Sequence, residues 1–454
     1  MQKKLSFSSY LAIGVMLFAL FFGAGNLIFP AQLGQYSGEN LWPATVGFLI
    51  TGAGLPLLGI LAMGFSGSRN LQELASRVHP IYGLIFTSLL YLTIGPFFAA
   101  PRTGAVAFEI GIASSIPEGY TKIALFIFTL LFFGITLWLS LNPAKIVDRV
   151  GKLMSPIIIV LLLVLLIVAF LNPMGEFQSP VDAYAKGAFV KGLTEGYNTM
   201  DALASLVFGI IVINVLRSYG LKNKMQIFSA TVKTGVVASG ILALIYVGIA
   251  YLGATTTERL GLFETGGPVL SETASYYFGT IGTVMLAIVI ILACLTTSIG
   301  LMTACGEYFN TIIPKVGYKT FVTGFTIFCF VVSNFGLANI ITYSIPVLML
   351  LYPLAVVLML LTFTSPLFGH ARIVYVGATA TALLISLFDG IKTLYSTLGY
   401  EKTEWPSWLT SIDSFYNTIL PFYSDGLGWI LPVLIVMIFT ALIALIMKPA
   451  PAHR

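Results

Sequence analysis

Charge is what this sequence lacks most. Of 454 residues only 9% are Asp, Glu, Lys or Arg, against roughly a quarter in soluble domains. Hydrophobic residues make up 57%, and the mean hydropathy is +0.95. No soluble core consumes that much apolar chain, so the sequence reads as an all-α polytopic membrane protein. Cysteine is scarce too. Cys294, Cys305 and Cys329 fall in or beside apolar segments without metal-ligand spacing, which reads as buried thiols and excludes a zinc site or a disulfide framework. His79, His370 and His453 are equally dispersed. With so few ionisable groups at membrane depth, no acid–base cluster forms and no enzyme is expected. The chain has no nucleotide-binding loop, so it does not hydrolyse ATP as its energy source. The net charge of +5 is scattered among short loops, which argues against a nucleic-acid partner. No obligate protein partner is evident. A channel needs a filter ring or repeated pore loops, and none is present.

Long apolar runs are what the sequence has. A spanning helix needs about 20 mostly apolar residues. On that criterion twelve segments emerge: Ser9–Gln35 (broken), Leu41–Phe65, Ile81–Phe108, Ile123–Leu141, Ile146–Leu171, Gly192–Val215 (broken), Ile227–Ala254, Ile281–Phe309, Thr320–Asn334, Leu337–Phe363, Ile373–Thr393 and Leu427–Met447. The first is followed by Phe29-Pro30 and further apolar segments, not by a small-residue cleavage site, so it is expected to be retained. Between segments, Asn172–Lys191 and Thr255–Tyr277 are long connections on the outer side. The second carries a Gly266-Gly267-Pro268 break and reads as short helices over the outer mouth.

Basic residues set the orientation. With a cytoplasmic amino terminus, sixteen of the 23 Lys and Arg fall inside, among them Lys3, Lys4, Lys145, Arg149, Lys448 and Arg454. Six fall outside: Lys122, Lys186, Lys191, Arg259, Lys392 and Lys402. Cytoplasmic loops carry the basic excess, so both termini are expected on the cytoplasmic side of the membrane.

Two of the twelve segments are flawed in the middle. The first contains Gly23-Ala24-Gly25-Asn26 within Phe18–Pro30. Glycine costs about 1 kcal/mol against alanine inside a helix, and asparagine competes for backbone hydrogen bonds. The sixth contains Thr194-Glu195-Gly196-Tyr197-Asn198-Thr199-Met200-Asp201, too polar for a lipid-facing helix. An unwound turn in hydrocarbon leaves backbone groups unsatisfied at several kcal/mol each, so it survives only against protein or a polar cavity. Segments one and six stand five apart, and an odd offset inverts the membrane orientation of the second copy. Paired interruptions of this kind point to a midplane substrate site. A half-helix beginning at Asn26-Leu27 offers amides and a positive dipole end to a carboxylate. The half-helix ending near Phe22 offers carbonyls to a small cation.

Hard cations take oxygen ligands, and the eighth segment supplies Ala293-Cys294-Leu295-Thr296-Thr297-Ser298. Asp201 is open to three readings: contact with a substrate ammonium, part in cation or proton coupling, or a cap on the second half-helix. Arg102, with Glu109 seven residues on, is a functional candidate because an ionisable group at membrane depth is costly; snorkelling to the outer interface is the plainer alternative. Asp389, late in segment eleven, reads as structural.

Phe18–Pro30, Thr199–Ala204 and Ile94-Gly95-Pro96-Phe97-Phe98-Ala99-Ala100-Pro101-Arg102-Thr103 together resemble the signature stretches of the bacterial branched-chain amino acid:cation symporter family (LIVCS). The likeness covers nearly the whole chain. It implies the leucine-transporter fold: a 5+5 inverted repeat with broken helices one and six, plus two added helices. The repeats would be residues 1–171 and 172–363, with 364–454 holding peripheral helices eleven and twelve. It implies uptake of leucine, isoleucine and valine with Na+; a proton-coupled symporter of these or other neutral amino acids is the alternative. It further implies that Ala293, Thr296 and Thr297 bind the ion with the carbonyls of Ala19 and Phe22. The substrate would meet Gly23, Ala24, Gly25 and Asn26 on one side and Thr199, Met200, Asp201 and Ala202 on the other. The amides of Ala24 and Gly25 would take its carboxylate, and the carbonyls of the Thr199–Ala202 turn its ammonium.

Overall fold

Every regular element among the described residues is helical. The structure is a computed structural model and describes residues 5–113, 116–117, 119–142 and 147–446, with backbone alone at 147–149. Lys3, Lys4, Lys145, Ile146, Met447, Lys448, His453 and Arg454 of the sequence reading lie outside the described residues, as does the side chain of Arg149.

The first segment folds as α1 (Phe7–Phe21) and α2 (Ala24–Ser37), separated at Phe22 and Gly23. The second helical half starts at Ala24, two residues before the expected Asn26. The reason is local: Asn26 turns its side chain back, and its Oδ1 accepts the Gly23 N–H at 3.1 Å. Asn26 is therefore the third residue of α2, not its beginning.

The second segment is α3 (Leu41–Leu49), a π-helical turn at Ile50–Gly54 and α4 (Leu55–Ser66), followed by the short α5 (Leu71–Ala75). The third is α6 (Pro80–Leu92), a π turn at Thr93–Phe97 and α7 (Ala99–Gly111), with Gly95 and Pro96 breaking the helix. Next come α8 (Thr121–Ser140) and α9 (Ser155–Leu171).

The sixth segment begins earlier than expected. α10 (Ala183–Glu195) occupies much of the stretch read as an outer connection; a 3₁₀ turn (Gly196–Thr199) and α11 (Asp201–Ser218) follow. Lys186 and Lys191 disguised this half-helix as a loop. Its helical state follows from packing: Gly192 comes so close to Ala44, and Gly47 to Phe189, that neither glycine leaves room for a Cβ.

α12 (Lys224–Leu260) and α13 (Gly266–Ile312) run well beyond a single span. The expected short helix over Thr255–Tyr277 is the leading part of α13, which bends at Gly279 (φ +55°), a conformation glycine adopts without cost. α14 (Tyr318–Ser333), α15 (Leu337–Thr364), α16 (Arg372–Thr397), α17 (Ser407–Ile419) and α18 (Ile430–Ile446) complete the chain.

Nine helical stretches among the described residues are long and apolar enough to cross a membrane, and Phe7–Phe21, Tyr318–Ser333 and Ile430–Ile446 are shorter apolar helices. The described residues group into two compact units. One lies within Met1–Leu61 and Tyr91–Ile341, the other within Ala62–Leu90 and Thr342–Arg454. Compactness and internal symmetry are different properties, so this division does not bear on the repeat boundaries expected at 171 and 363.

In the first unit, α12 lies along both halves of segment one through small residues. Gly34 abuts the Ala250 carbonyl and Gly253 the Ala31 carbonyl. In the second, Asp389 pairs with Lys392 at 3.2 Å, and Lys392 sits over the Tyr423 ring at 3.7 Å. Asp413 joins Lys392 and Lys402 at 3.8 and 2.5 Å, which ties α17 to α16. Asp389 is thus held in an ion-pair network. Cys294, Cys305 and Cys329 are buried free thiols.

Candidate substrate and cation site

Both interruptions open on one cavity of about 360 Å³ of empty space, its mouth included. Segment one contributes Leu20, Phe21 and Gly23–Asn26; segment six contributes Thr199, Met200, Asp201, Ala204 and Phe208. Ile94, Ala99, Arg102 and Thr103 of segment three close a third side, with Thr297 and Leu301 of α13 on a fourth. Of the expected substrate residues, Gly23, Ala24, Gly25, Asn26, Thr199, Met200 and Asp201 line this space. Ala202 does not. It is fully buried, and its carbonyl accepts the Ser205 hydroxyl at 2.6 Å.

The two breaks are built differently. At Gly23 the chain is extended (φ −116°, ψ −158°), so α2 starts with its first amides exposed to the cavity and its positive dipole end facing it. At Met200 the backbone is left-handed (φ +66°, ψ +7°), a conformation that costs a non-glycine residue about 1–2 kcal/mol. That turn ends α10 and its 3₁₀ extension and starts α11. The carbonyls of Asn198 and Thr199 are therefore left without helical partners.

Asn26 and Asp201 join the breaks. Asn26 is 1% exposed and Asp201 3%. The Asn26 Nδ2 donates to Asp201 Oδ2 and lies against the Tyr246 hydroxyl, which itself donates to Asp201 Oδ2 at 2.9 Å. The Asp201 carboxylate therefore does not cap its own helix; it reaches across to segment one and to α12. Tyr246 is a site residue that sequence reasoning missed. One phenol in the apolar run of α12 carries no spacing signal, and only the fold brings its hydroxyl to the paired breaks.

Arg102 does not snorkel. It is 5% exposed, and its two terminal nitrogens donate to the carbonyls of Asn198 at 3.1 Å and Thr199 at 3.4 Å. Its guanidinium stands 5.7 Å from the centre of the Phe29 ring. The Gly95–Pro96 break is what turns segment three so that α7 can aim Arg102 inward. Glu109, two turns further along α7, is exposed.

Oxygens gather where the cation was expected. Thr296 Oγ1 lies 2.8 Å from both the Ala19 and the Ala293 carbonyls, and Thr297 Oγ1 lies 3.0 Å from the Leu20 carbonyl. On segment one, Thr297 meets the Leu20 carbonyl, one residue beyond the Ala19 carbonyl that Thr296 meets. A Cβ at Gly23 would sit 2.9 Å from Thr297 Oγ1, so the absent side chain is what lets α13 approach the break. These carbonyls, with the hydroxyls of two adjacent residues of α13, are oxygens of the kind a small hard cation prefers. Among the described residues no group of three or more His, Cys, Asp or Glu could hold a metal ion, so carbonyl and hydroxyl oxygens are the donors on offer. Thr297 also lines the cavity, which makes the oxygen cluster and the cavity neighbours.

Comparison with known proteins shows the family and the fold. Residues 6–447 match the model of the branched-chain amino acid transport protein family. The chain is 46% identical over 432 residues to the branched-chain amino acid permease BrnQ of Bacillus subtilis (strain 168), covering 95% of this chain and 96% of that one. It is 45% identical to the permease BraB of the same organism, covering 99% and 98%. It is 41% identical to the branched-chain amino acid transport system 2 carrier protein of Pseudomonas aeruginosa, covering 94% of each. Among solved structures it is similar to Mhp1, a nucleobase-cation-symport-1 family transporter (TM-score 0.61, 12% identity, 96% of this chain and 91% of that one). It is also similar to MhsT in complex with L-phenylalanine (TM-score 0.52, 16% identity, 96% and 98%). At these identities the structural likeness shows the leucine-transporter fold and nothing finer.

Proposed function

The chain belongs to the family of branched-chain amino acid transport proteins, and from that premise we propose that it is a secondary active symporter importing leucine, isoleucine and valine with Na+ by alternating access. The observation that carries this reading is the meeting of two helix breaks around one cavity, with Thr297 of the hydroxyl pair on its wall. Helix-one amides suit a carboxylate, helix-six carbonyls with Asp201 suit an ammonium, and Phe21, Ile94, Phe208 and Leu301 offer an apolar wall to a branched side chain.

The ion would bind the carbonyls of Ala19, Phe22 and Ala293 with the hydroxyls of Thr296 and Thr297, beside the Leu20 carbonyl that Thr297 meets. That position bridges segment one and α13. In a 12-span, 5+5 arrangement with both termini cytoplasmic, segments one, two, six and seven would rock against three, four, eight and nine. A cation held across both groups biases that equilibrium only through its differential affinity for the two states. The cation is cargo here, and the chain itself supplies the coupling.

Proton coupling is the second reading, and buried Asp201 favours it: a carboxyl bonded to both Asn26 and Tyr246 at the junction of the breaks is placed to carry a proton across. Radiolabelled leucine uptake into vesicles, with sodium and proton gradients imposed separately, decides between the two. Uptake driven by an inward sodium gradient at equal pH supports the first reading; uptake driven only by a proton gradient supports the second. Uptake indifferent to both gradients overturns symport.

A further inference from the structure

We propose that Arg102 reads the substrate's carboxylate and makes the site selective for an amino acid over the corresponding amide or amine, an inference that rests on the transport reading above. Arg102 and Asp201 are the charged residues lining the cavity, one cation and one anion facing the same space. That pairing complements a zwitterion. The polarity is ordered: Asp201 stands at the start of α11, and the Arg102 guanidinium stands against α2, where a Cβ built on Gly25 would come within 2.9 Å of its Nη2.

A carboxylate received by the first amides of α2 therefore lies beside this guanidinium. A helix N-terminus presents a weak partial charge of about half a unit. A guanidinium adds a full charge and a planar fork that fits carboxylate oxygens two at a time. Phe29, one turn beyond Gly25, holds the guanidinium plane from the α2 side. The Asn198 and Thr199 carbonyls hold it from segment six. Arg102 is thereby positioned by both breaks at once, and it already satisfies two carbonyls that the unwound turn would offer to an ammonium. The ammonium is left to Asp201, and the two charges of the substrate meet two side chains of opposite sign.

Capping those two carbonyls is also the alternative, purely structural role for Arg102, and the experiment separates the two. Equilibrium binding of radiolabelled leucine to purified protein is competed with unlabelled leucine and with leucinamide, which keeps the ammonium and side chain but replaces the carboxylate by a neutral group. In the wild type, leucine is expected to compete about 10- to 100-fold better than leucinamide, as loss of a charge-assisted contact implies. In Arg102→Gln, which keeps donors for the helix-six carbonyls, leucine weakens while leucinamide changes little, so the preference shrinks to a few-fold. In Arg102→Lys the charge remains without the fork, and most of the preference is retained with weaker leucine binding. Thermal denaturation of each variant reports folding, and Arg102→Lys keeps the question open to measurement should Arg102→Gln not fold, since a preference abolished in a folded Arg102→Lys contradicts a charge-reading role. A folded Arg102→Gln that keeps the wild-type preference overturns the proposal. Wild-type protein that binds neither leucine nor leucinamide overturns the transport reading instead.

Discussion

Segment one breaks by omission, and segment six breaks by contortion. At Gly23 the missing side chain lets Thr297 approach, and the following amides open onto the cavity. At Met200 a residue with a full side chain is held left-handed, and the turn before it exposes carbonyls. One break is a donor surface and the other an acceptor surface, and Asn26, Asp201 and Tyr246 fasten them together. The carbonyls before Met200 accept from Arg102. The difference teaches that steric emptiness shapes the first break and backbone strain the second.

That contrast can be broken hardest at Gly25. A Cβ there would meet Arg102 at 2.9 Å and the Phe29 ring at 3.1 Å. Gly25→Val is expected to abolish leucine uptake, a loss beyond about 100-fold, because the branched side chain fills the carboxylate's position and more than 3 kcal/mol is forfeited. Membrane abundance measured on the same vesicles should be near normal; loss of insertion would reduce Gly25 to a packing residue.

The fastening between the breaks comes next. Asp201→Asn keeps an oxygen to accept from Tyr246 but removes the charge. Uptake is expected to fall about 10- to 100-fold, the worth of a charge-assisted hydrogen bond of about 1.5–3 kcal/mol, while thermal stability shifts little. Collapse of stability with intact specific activity would make Asp201 purely structural.

The oxygen cluster beside the first break is a milder target, since backbone carbonyls survive any substitution. Thr296→Ala combined with Thr297→Ala should raise the sodium concentration for half-maximal uptake by about tenfold or more, two hydroxyl ligands at roughly 1 kcal/mol each. Unchanged sodium dependence would refute the assignment. The smallest effect is expected at the second break. Met200→Gly relieves the left-handed strain, about 1 kcal/mol, but frees the unfolded chain by a similar amount, so the melting temperature should move by only a few degrees. A large drop would show that the Met200 side chain, not the backbone, supports the turn.

Both breaks were legible in the sequence because helix-poor residues cluster at Gly23–Asn26 and Thr194–Asp201, although the breaks themselves fall only at Phe22–Gly23 and Gly196–Met200. The hydroxyl pair on α13 was legible because Thr296 and Thr297 are adjacent in an apolar run. What escaped depends on three-dimensional convergence. The direction of Arg102 follows the Gly95–Pro96 break seven and six residues before it, and whether such a break turns a side chain inward is decided by packing. Tyr246 left no mark among the apolar residues of α12. The start of α10 was hidden because its helicity comes from close contact with α3, not from propensity. The contact of Thr297 with the Leu20 carbonyl was hidden too, because register between two helices is a matter of ångströms, finer than any motif spacing.

The central claim is that substrate and cation share one neighbourhood, with Thr297 belonging to both. Linkage requires that each ligand change the other's affinity by the same factor. The most direct measurement is leucine binding to purified protein with and without sodium, paired with sodium titration with and without leucine. The account predicts that sodium tightens leucine binding and that leucine tightens sodium binding by an equal factor, an effect lost in the Thr296→Ala, Thr297→Ala variant. Leucine binding unmoved by sodium at any concentration would contradict it.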